Sequence, residues 1–149
     1  MNVSQIGLVR TAGIRALQVH QLIYDRSGGR IGHRMLGVPT LLLRTVGAKT
    51  GRPRTSCLTY ARDGESYLVV ASMGGAPVHP GWYHNLRADP AVEIQIGTST
   101  QRATARVVNR GDAEYDRMWK IVNERNRDRY NGYQRSTERP IPIVALTPN

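Results

Sequence analysis

From Val38 onward the chain is divided into short apolar and β-branched runs, most of them separated by turns too tight for anything but a hairpin. Val38 to Val46, Thr55 to Arg62, Ser66 to Ser72, Val92 to Ile96, Arg102 to Val108 and Ile141 to Leu146 read as strands, rich in Val, Ile, Leu and Thr. The turn Gly47 to Arg54, the pair Asp63-Gly64 and the triplet Gly97-Thr98-Ser99 supply hairpin links. Pro140 and Pro142 put the last strand at a sheet edge, because proline donates no ladder hydrogen bond. A short helix is expected from Gly81 to Arg87, stopped by Asp89-Pro90. Asp112 is suited to N-cap a second helix running to about Asn126, with Glu114 in its first turn. Near the N-terminus, Leu8, Ala12, Ala16, Leu17 and Ile23 fall at helical spacing, and Ser27-Gly28-Gly29 releases that helix. No βαβ pattern is present. The fold expected is α+β: an antiparallel sheet or small barrel of about six strands with flanking helices. With 149 residues the chain makes one domain, residues 1–149, with a helix over about 8–25 and the barrel over about 38–149.

The 21 basic residues exceed the 11 acidic by enough to give a net charge of +10, and all the bases but Lys49 and Lys120 are Arg. Such a balance suits an anionic partner, since the guanidinium fork binds phosphate and carboxylate bidentately. A GC-rich genome would also favour Arg codons, so position must decide. No apolar run approaches the roughly 18 residues of a spanning helix, and Met1 to Gly7 lack a signal-peptide pattern. With a single cysteine, Cys57, no internal disulfide can form. A cytoplasmic protein is expected. The amphipathic N-terminal helix docks either on its own core or on a membrane surface.

Several chemistries are absent from the pattern. His20, His33, His79 and His84 have no metal-ligand spacing with Cys57, so no metal is expected. No Gly-x-Gly-x-x-Gly follows a strand, no Gly-x-Ser-x-Gly elbow occurs, and no carboxylate pair suggests hydrolysis. What remains are hydroxyls, aromatics, glycines and cations. That inventory suits a bound cofactor that carries the chemistry.

Four stretches supply it. Lys49-Thr50-Gly51-Arg52-Pro53-Arg54 sets three cations on a turn, either a phosphate-holding tip or an ordinary solvated one. Ala71-Ser72-Met73-Gly74-Gly75-Ala76-Pro77 follows a strand with residues small enough for a flat ligand to approach the backbone. Pro80-Gly81-Trp82-Tyr83-His84-Asn85-Leu86 begins a helix with aromatics that lean on a ring or on the core. Tyr130-Asn131-Gly132-Tyr133-Gln134 reads as a mobile aromatic flap or as solvated loop tyrosines.

Taken in order, with Gly47-Ala48 ahead of the turn and Arg139-Pro140-Ile141-Pro142-Ile143-Val144 at the end, these stretches resemble the deazaflavin-dependent nitroreductase family, which binds coenzyme F420. The resemblance runs from about Pro39 to the C-terminus. It implies a split β-barrel and a deazaflavin with a phosphate and an oligoglutamate tail. By position, Ala48, Lys49, Thr50 and Arg54 would hold the phosphate and tail, with Thr55 and Ser56 extending that edge. Val70, Ala71, Ser72 and Met73 would line the ring, and Gly81, Trp82, Tyr83, His84 and Asn85 would form the other wall. Tyr130 and Tyr133 fall where the family places aromatics over ring and substrate, which makes Ser72, Tyr130 and Tyr133 the candidates for catalysis. The implied reaction is hydride transfer from reduced deazaflavin to an oxidised acceptor. Arg127 and Arg129 flank Tyr130, and Met73 stands where a Lys can occur. These departures favour a quinone or other conjugated acceptor over a nitroimidazole.

Two other classes of function compete: a carrier that binds coenzyme F420 without turnover, and a nucleic-acid-binding domain. Only 6% aromatic residues, no Phe and bases spread along the chain argue against nucleic acid. Monomer and homodimer both remain open.

Overall fold

The computed structural model describes residues 34–35 and 38–149; the helix expected over about 8–25 lies outside them. The strands are β1 (Arg34–Met35), β2 (Val38–Val46), β3 (Pro53–Thr59), β4 (Ala61–Asp63), β5 (Ser66–Val70), β6 (Ala91–Ile96), β7 (Ser99–Val108) and β8 (Ile143–Pro148). The helices are α1 (Gly81–Ala88), α2 (Tyr115–Arg125) and α3 (Arg129–Arg135), with a 3-10 turn at Met73–Gly75. Every pairing is antiparallel, in the order β1-β2-β6-β7-β8-β5-β4, with β3 also on β2. Only Tyr60 separates β3 from β4, and its N–H donates to the Pro39 carbonyl at 3.1 Å. One bent strand therefore pairs with β2 through its first half and with β5 through its second, so the ladder curls back on itself. This is the α+β, antiparallel, barrel-like architecture that the hairpin spacing predicts.

Side-chain alternation divides the apolar residues between two faces. Tyr67 and Val69 of β5, with Val144 and Leu146 of β8, join Leu41, Leu43, Ile94, Trp82, Tyr83 and Leu86 in one core. Their alternates Leu68, Val70, Ile143 and Ala145 join Tyr115, Met118, Val122 and Tyr130 in a second core between the sheet and α2–α3. Burial on both faces explains the unbroken apolar runs Tyr67 to Val70 and Ile143 to Leu146. Cys57 packs against Leu42 in a third, smaller cluster, where burial pushes its thiol up to about 11. It is not a thiolate nucleophile at neutral pH.

Two local expectations are corrected. First, β8 is an interior strand, paired with β5 on one side and β7 on the other. Pro140 and Pro142 precede the ladder, so their missing N–H groups interrupt nothing, and the Pro142 carbonyl accepts from Ala71 N–H at 3.0 Å. Second, α2 begins at Tyr115 with Glu114, not Asp112, at its N-cap. The Asp112 carboxylate instead accepts from Asn109 N–H at 2.7 Å, folding the turn ahead of the helix.

Candidate functional site

β2 and β5 both run opposite to the bent β3–β4 strand, so they point the same way and Val46 and Val70 leave the sheet at one rim. β6 is antiparallel to β2 and β8 to β5, so both begin at that rim. The topology thus gathers the basic turn, the loop 71–80, α1 and the approach to β8 at one end of the sheet.

The basic turn is closed by its own backbone. Gly47 N–H donates to the Arg52 carbonyl and Gly51 N–H to the Gly47 carbonyl, each at 2.8 Å, and Gly51 takes a φ of +68°. Thr50 Oγ1 accepts from Arg52 N–H at 3.2 Å. Asn85 of α1 fastens the turn from the side: its Oδ1 accepts from Ala48 N–H at 2.9 Å and its Nδ2 donates to Thr45 Oγ1 at 3.2 Å. Lys49, Arg52 and Arg54 are exposed. Among the described residues no carboxylate pairs with them, whereas Arg44, Arg106, Arg117 and Lys120 each meet an Asp or Glu. Two like charges on the turn and a third on the second residue of β3 therefore lie close in sequence with no counter-ion among the described residues. Thr55 and Ser56, half-buried, continue from the turn along β3 opposite Arg44 and Leu43.

The loop after β5 buries Ala71 and Ser72, exposes Met73 and Gly74, and buries Gly75. Met73, Gly74 and Gly75 take φ values of +45°, +65° and +83° in succession. Holding a methionine there stores backbone strain. The loop is held by Arg139, whose Nε donates to the Ala76 carbonyl at 2.8 Å, Nη1 to the Ala71 carbonyl at 3.1 Å and Nη2 to the Ser72 carbonyl at 2.8 Å. Nη1 also lies 3.0 Å from His79 Nδ1. Desolvation and the Arg139 charge pull the His79 pKa below 6.5, and its ring lies on Tyr83 with centroids 4.3 Å apart.

The wall expected from α1 is divided. Trp82 and Tyr83 are buried in the first core, while Gly81 and His84 are exposed and Asn85 spans to the basic turn. Val70 is likewise buried, in the second core.

The stretch expected as a mobile flap is instead α3. Positive φ values of 55° and 59° at Arg127 and Asp128 turn the chain sharply out of α2. Asn131 then fixes α3 to α2, accepting from Trp119 Nε1 at 2.8 Å and donating its N–H to Asn123 Oδ1 at 2.9 Å. Tyr130 points into the second core with its hydroxyl 2.7 Å from Thr59 Oγ1, and burial raises its pKa. Tyr133, half-buried, meets Tyr130 edge-on at 6.1 Å. Helical spacing of tyrosines was present, but Gly132 and the run of polar residues concealed it.

α3 and the loop touch at Gly75. A Cβ there would lie 2.7 Å from the Tyr133 carbonyl oxygen, on a residue with φ of +83°. Gly75→Ala is expected to cost about 2–3 kcal/mol from combined backbone strain and overpacking, read as a lowered unfolding midpoint in urea. An unchanged midpoint would show that α3 does not rest on the loop.

Ser72, Met73, Gly75 and Tyr133 are thus brought together, and Asn85 joins α1 to the basic turn. No sequence signal marked Arg139 or Thr59 as elements of the site; Arg139 begins Arg139-Pro140-Ile141-Pro142, but nothing in its neighbours indicates three carbonyl partners. Open concavities of about 440 Å3 beside Pro39, Tyr60 and Ile121 and about 480 Å3 beside Trp119 and Asn131 lie along α2. They hold none of the rim's unpaired cations, so charge and backbone, not concavity, mark the rim. Among the described residues no cluster of His, Cys, Asp or Glu could hold a metal, and no helix is long and apolar enough to cross a membrane.

Comparison with known proteins gives the family and the fold. Residues 16–148 match the F420H(2)-dependent quinone reductase family. An F420H(2)-dependent quinone reductase of Mycobacterium tuberculosis is 55% identical over 141 residues, 94% of this chain and 95% of its own. A solved structure described as an F420-H2 dependent reductase is 37% identical, with a TM-score of 0.65 over 72% of this chain and 93% of its own. Another, described as a domain-swapped dimer, is 34% identical, with a TM-score of 0.66 over 91% of this chain and 98% of its own.

Proposed function

The chain belongs to the F420H(2)-dependent quinone reductase family, and from that premise we propose that its rim holds reduced coenzyme F420 and presents it to a quinone. The observation that carries this reading is the gathering of Lys49 and Arg52 on the turn and Arg54 at the start of β3, all exposed and with no carboxylate partner among the described residues. A phosphate and a glutamate tail supply the missing negative charge. The loop suits the flat ring: a Cβ on Gly74 would meet nothing within 4 Å, so that face of the backbone is open. The donor set and the shelf therefore fit the coenzyme.

In this reading Lys49, Arg52 and Arg54 bind the anionic end, with Ala48, Thr50, Thr55 and Ser56 along the same edge. Ala71, Ser72 and Met73 meet the ring, and Gly81, His84 and Asn85 close the opposite side. Val70, Trp82 and Tyr83 support these surfaces from the cores. When bound, the coenzyme supplies a hydride, a two-electron donor for the acceptor. The protein's part is orientation and electrostatics: bringing donor and acceptor atoms to about 3–3.5 Å and offering hydrogen bonds to the acceptor oxygen. Ser72 Oγ and Tyr133 Oη are the candidate donors. Tyr130, with its hydroxyl engaged by Thr59, acts by holding α3 in place.

A quinone is the favoured acceptor and nitroaromatic compounds the poorer ones. Contact of residues 1–25 with a membrane surface would suit a lipid-soluble quinone, and the domain-swapped relative makes a homodimer worth measuring. Adding coenzyme F420 should quench its fluorescence on binding, with FMN binding more weakly in a parallel titration. Reduced coenzyme should then turn over with menaquinone analogues. No quenching would overturn the proposal, and binding without turnover on any quinone would establish the carrier reading instead.

A further inference from the structure

We propose that Arg139 is a positioning residue for this reaction: its guanidinium fastens both ends of the loop that forms the ring shelf, and His79 is the contact through which protonation releases it. This rests on the reading of the rim as the coenzyme site. A guanidinium offers five N–H donors and no acceptor. Here it spends three contacts on the carbonyls of Ala71 and Ser72, before the left-handed residues, and of Ala76, after them. The span between those anchors, Met73 to Gly75, is the strained part of the loop and cannot rely on a β ladder for support.

The same segment grips Ala71 twice, since Ala71 N–H donates to the Pro142 carbonyl while its own carbonyl accepts from Arg139. Gln134 of α3 secures the segment in turn. Its Nε2 donates to the Arg139 carbonyl at 2.9 Å and its Oε1 accepts from Ile141 N–H at 3.0 Å. Gln134 and Arg139 thus tie the helix bearing Tyr133 to the loop bearing Ser72.

Because Arg139 can only donate, His79 Nδ1 must accept, and its proton sits on Nε2. Protonating Nδ1 would set two donors and two positive charges face to face. The other groups around His79 offer no relief: Arg87 and His84 of α1 are bases, and Tyr83 presents its ring. The His79 pKa is lowered, mainly by desolvation and then by Arg139. Its neutral form therefore favours the folded loop, and that stabilisation is lost as pH falls below the ordinary 6.5.

Two measurements on the whole protein test this. In fluorescence titrations with coenzyme F420 at pH 7.5 and pH 5.0, wild type should lose about fivefold more affinity than His79→Gln, and any titration of the coenzyme itself cancels between them. Arg139→Lys, which keeps the charge but not the fork, should bind about tenfold more weakly at pH 7.5. In protein without added coenzyme, amide exchange at Gly75 and Ala76, corrected for its intrinsic pH dependence, should accelerate at pH 5.0 in wild type and not in His79→Gln. Parallel acid losses in the two proteins, or wild-type affinity in Arg139→Lys, would overturn the proposal. If coenzyme F420 bound at neither pH while exchange still behaved as expected, the coenzyme reading would fail and the fastening would stand.

Discussion

Replacing Lys49 and Arg54 together by alanine is expected to weaken binding of coenzyme F420 about 30- to 100-fold, or about 2–3 kcal/mol, when measured by fluorescence quenching. Both side chains are exposed, so each contact is worth less than a buried ion pair; in the proposed complex both face one polyanion, which makes their joint effect large. The unpaired state of these cations makes the result specific. With no carboxylate to lose, the double variant should fold normally, and relief of like-charge crowding should leave its unfolding midpoint unchanged or slightly raised. Salt provides a second axis. Raising ionic strength shortens the Debye length and should weaken the wild type much more than the variant, until the two affinities converge. An unchanged affinity in Lys49→Ala/Arg54→Ala would remove the electrostatic basis for placing the coenzyme tail at this turn.

The charge distribution also bears on the nucleic-acid alternative. Arg44, Arg106, Arg117 and Lys120 are matched locally by Glu93, Glu114, Asp63 and Glu124. Part of the chain's positive balance is therefore neutralised where it sits, while the turn at 49–54 keeps its charge. That arrangement suits a ligand with one anionic end better than a long phosphate backbone, which needs a continuous basic track.

Apart from the two-residue β1, which no local pattern marks, the strands were legible because each carries a local signal: an apolar run, a turn glycine or a period of two. Even so, β7 begins at Ser99, ahead of its apolar part, because Ser99, Thr100 and Gln101 pair in register with Ile96, Gln95 and Ile94 of β6 without an apolar run to mark them. Two misreadings share one cause. Pro140 and Pro142 suggested an edge strand, but which ladder a strand enters depends on partners far away in sequence, here β5 and β7. Tyr130 and Tyr133 suggested a flap, but Asn123, Trp119 and Thr59 supply the contacts that hold them in a helix. The basic turn could be read because its cations and glycine lie within a few residues. Arg139 could not, since its partners lie 60 or more residues away and are mostly backbone carbonyls that any sequence possesses.

The placement of Tyr130 leads to the second large expected effect and separates support from chemistry. Tyr130→Ala removes a ring packed among Tyr115, Met118, Val122 and Ile141 and should cost about 3–5 kcal/mol. In a protein of this size that corresponds to a Tm lowered by about 10–15 °C. Tyr130→Phe keeps the ring but leaves Thr59 Oγ1 without its partner, and should cost about 1–2 kcal/mol. If the Tyr130 phenol acts only by seating α3, the Phe variant should lose turnover no more than about threefold, whereas Tyr133→Phe, which leaves the core ring intact, should lose about tenfold or more in kcat with little change in coenzyme affinity. The opposite ranking, with Tyr130→Phe inactive at an unchanged Tm, would mean that α3 shifts when substrate binds and carries the Tyr130 hydroxyl away from Thr59. The Thr59 contact would then be a resting arrangement that substrate binding breaks.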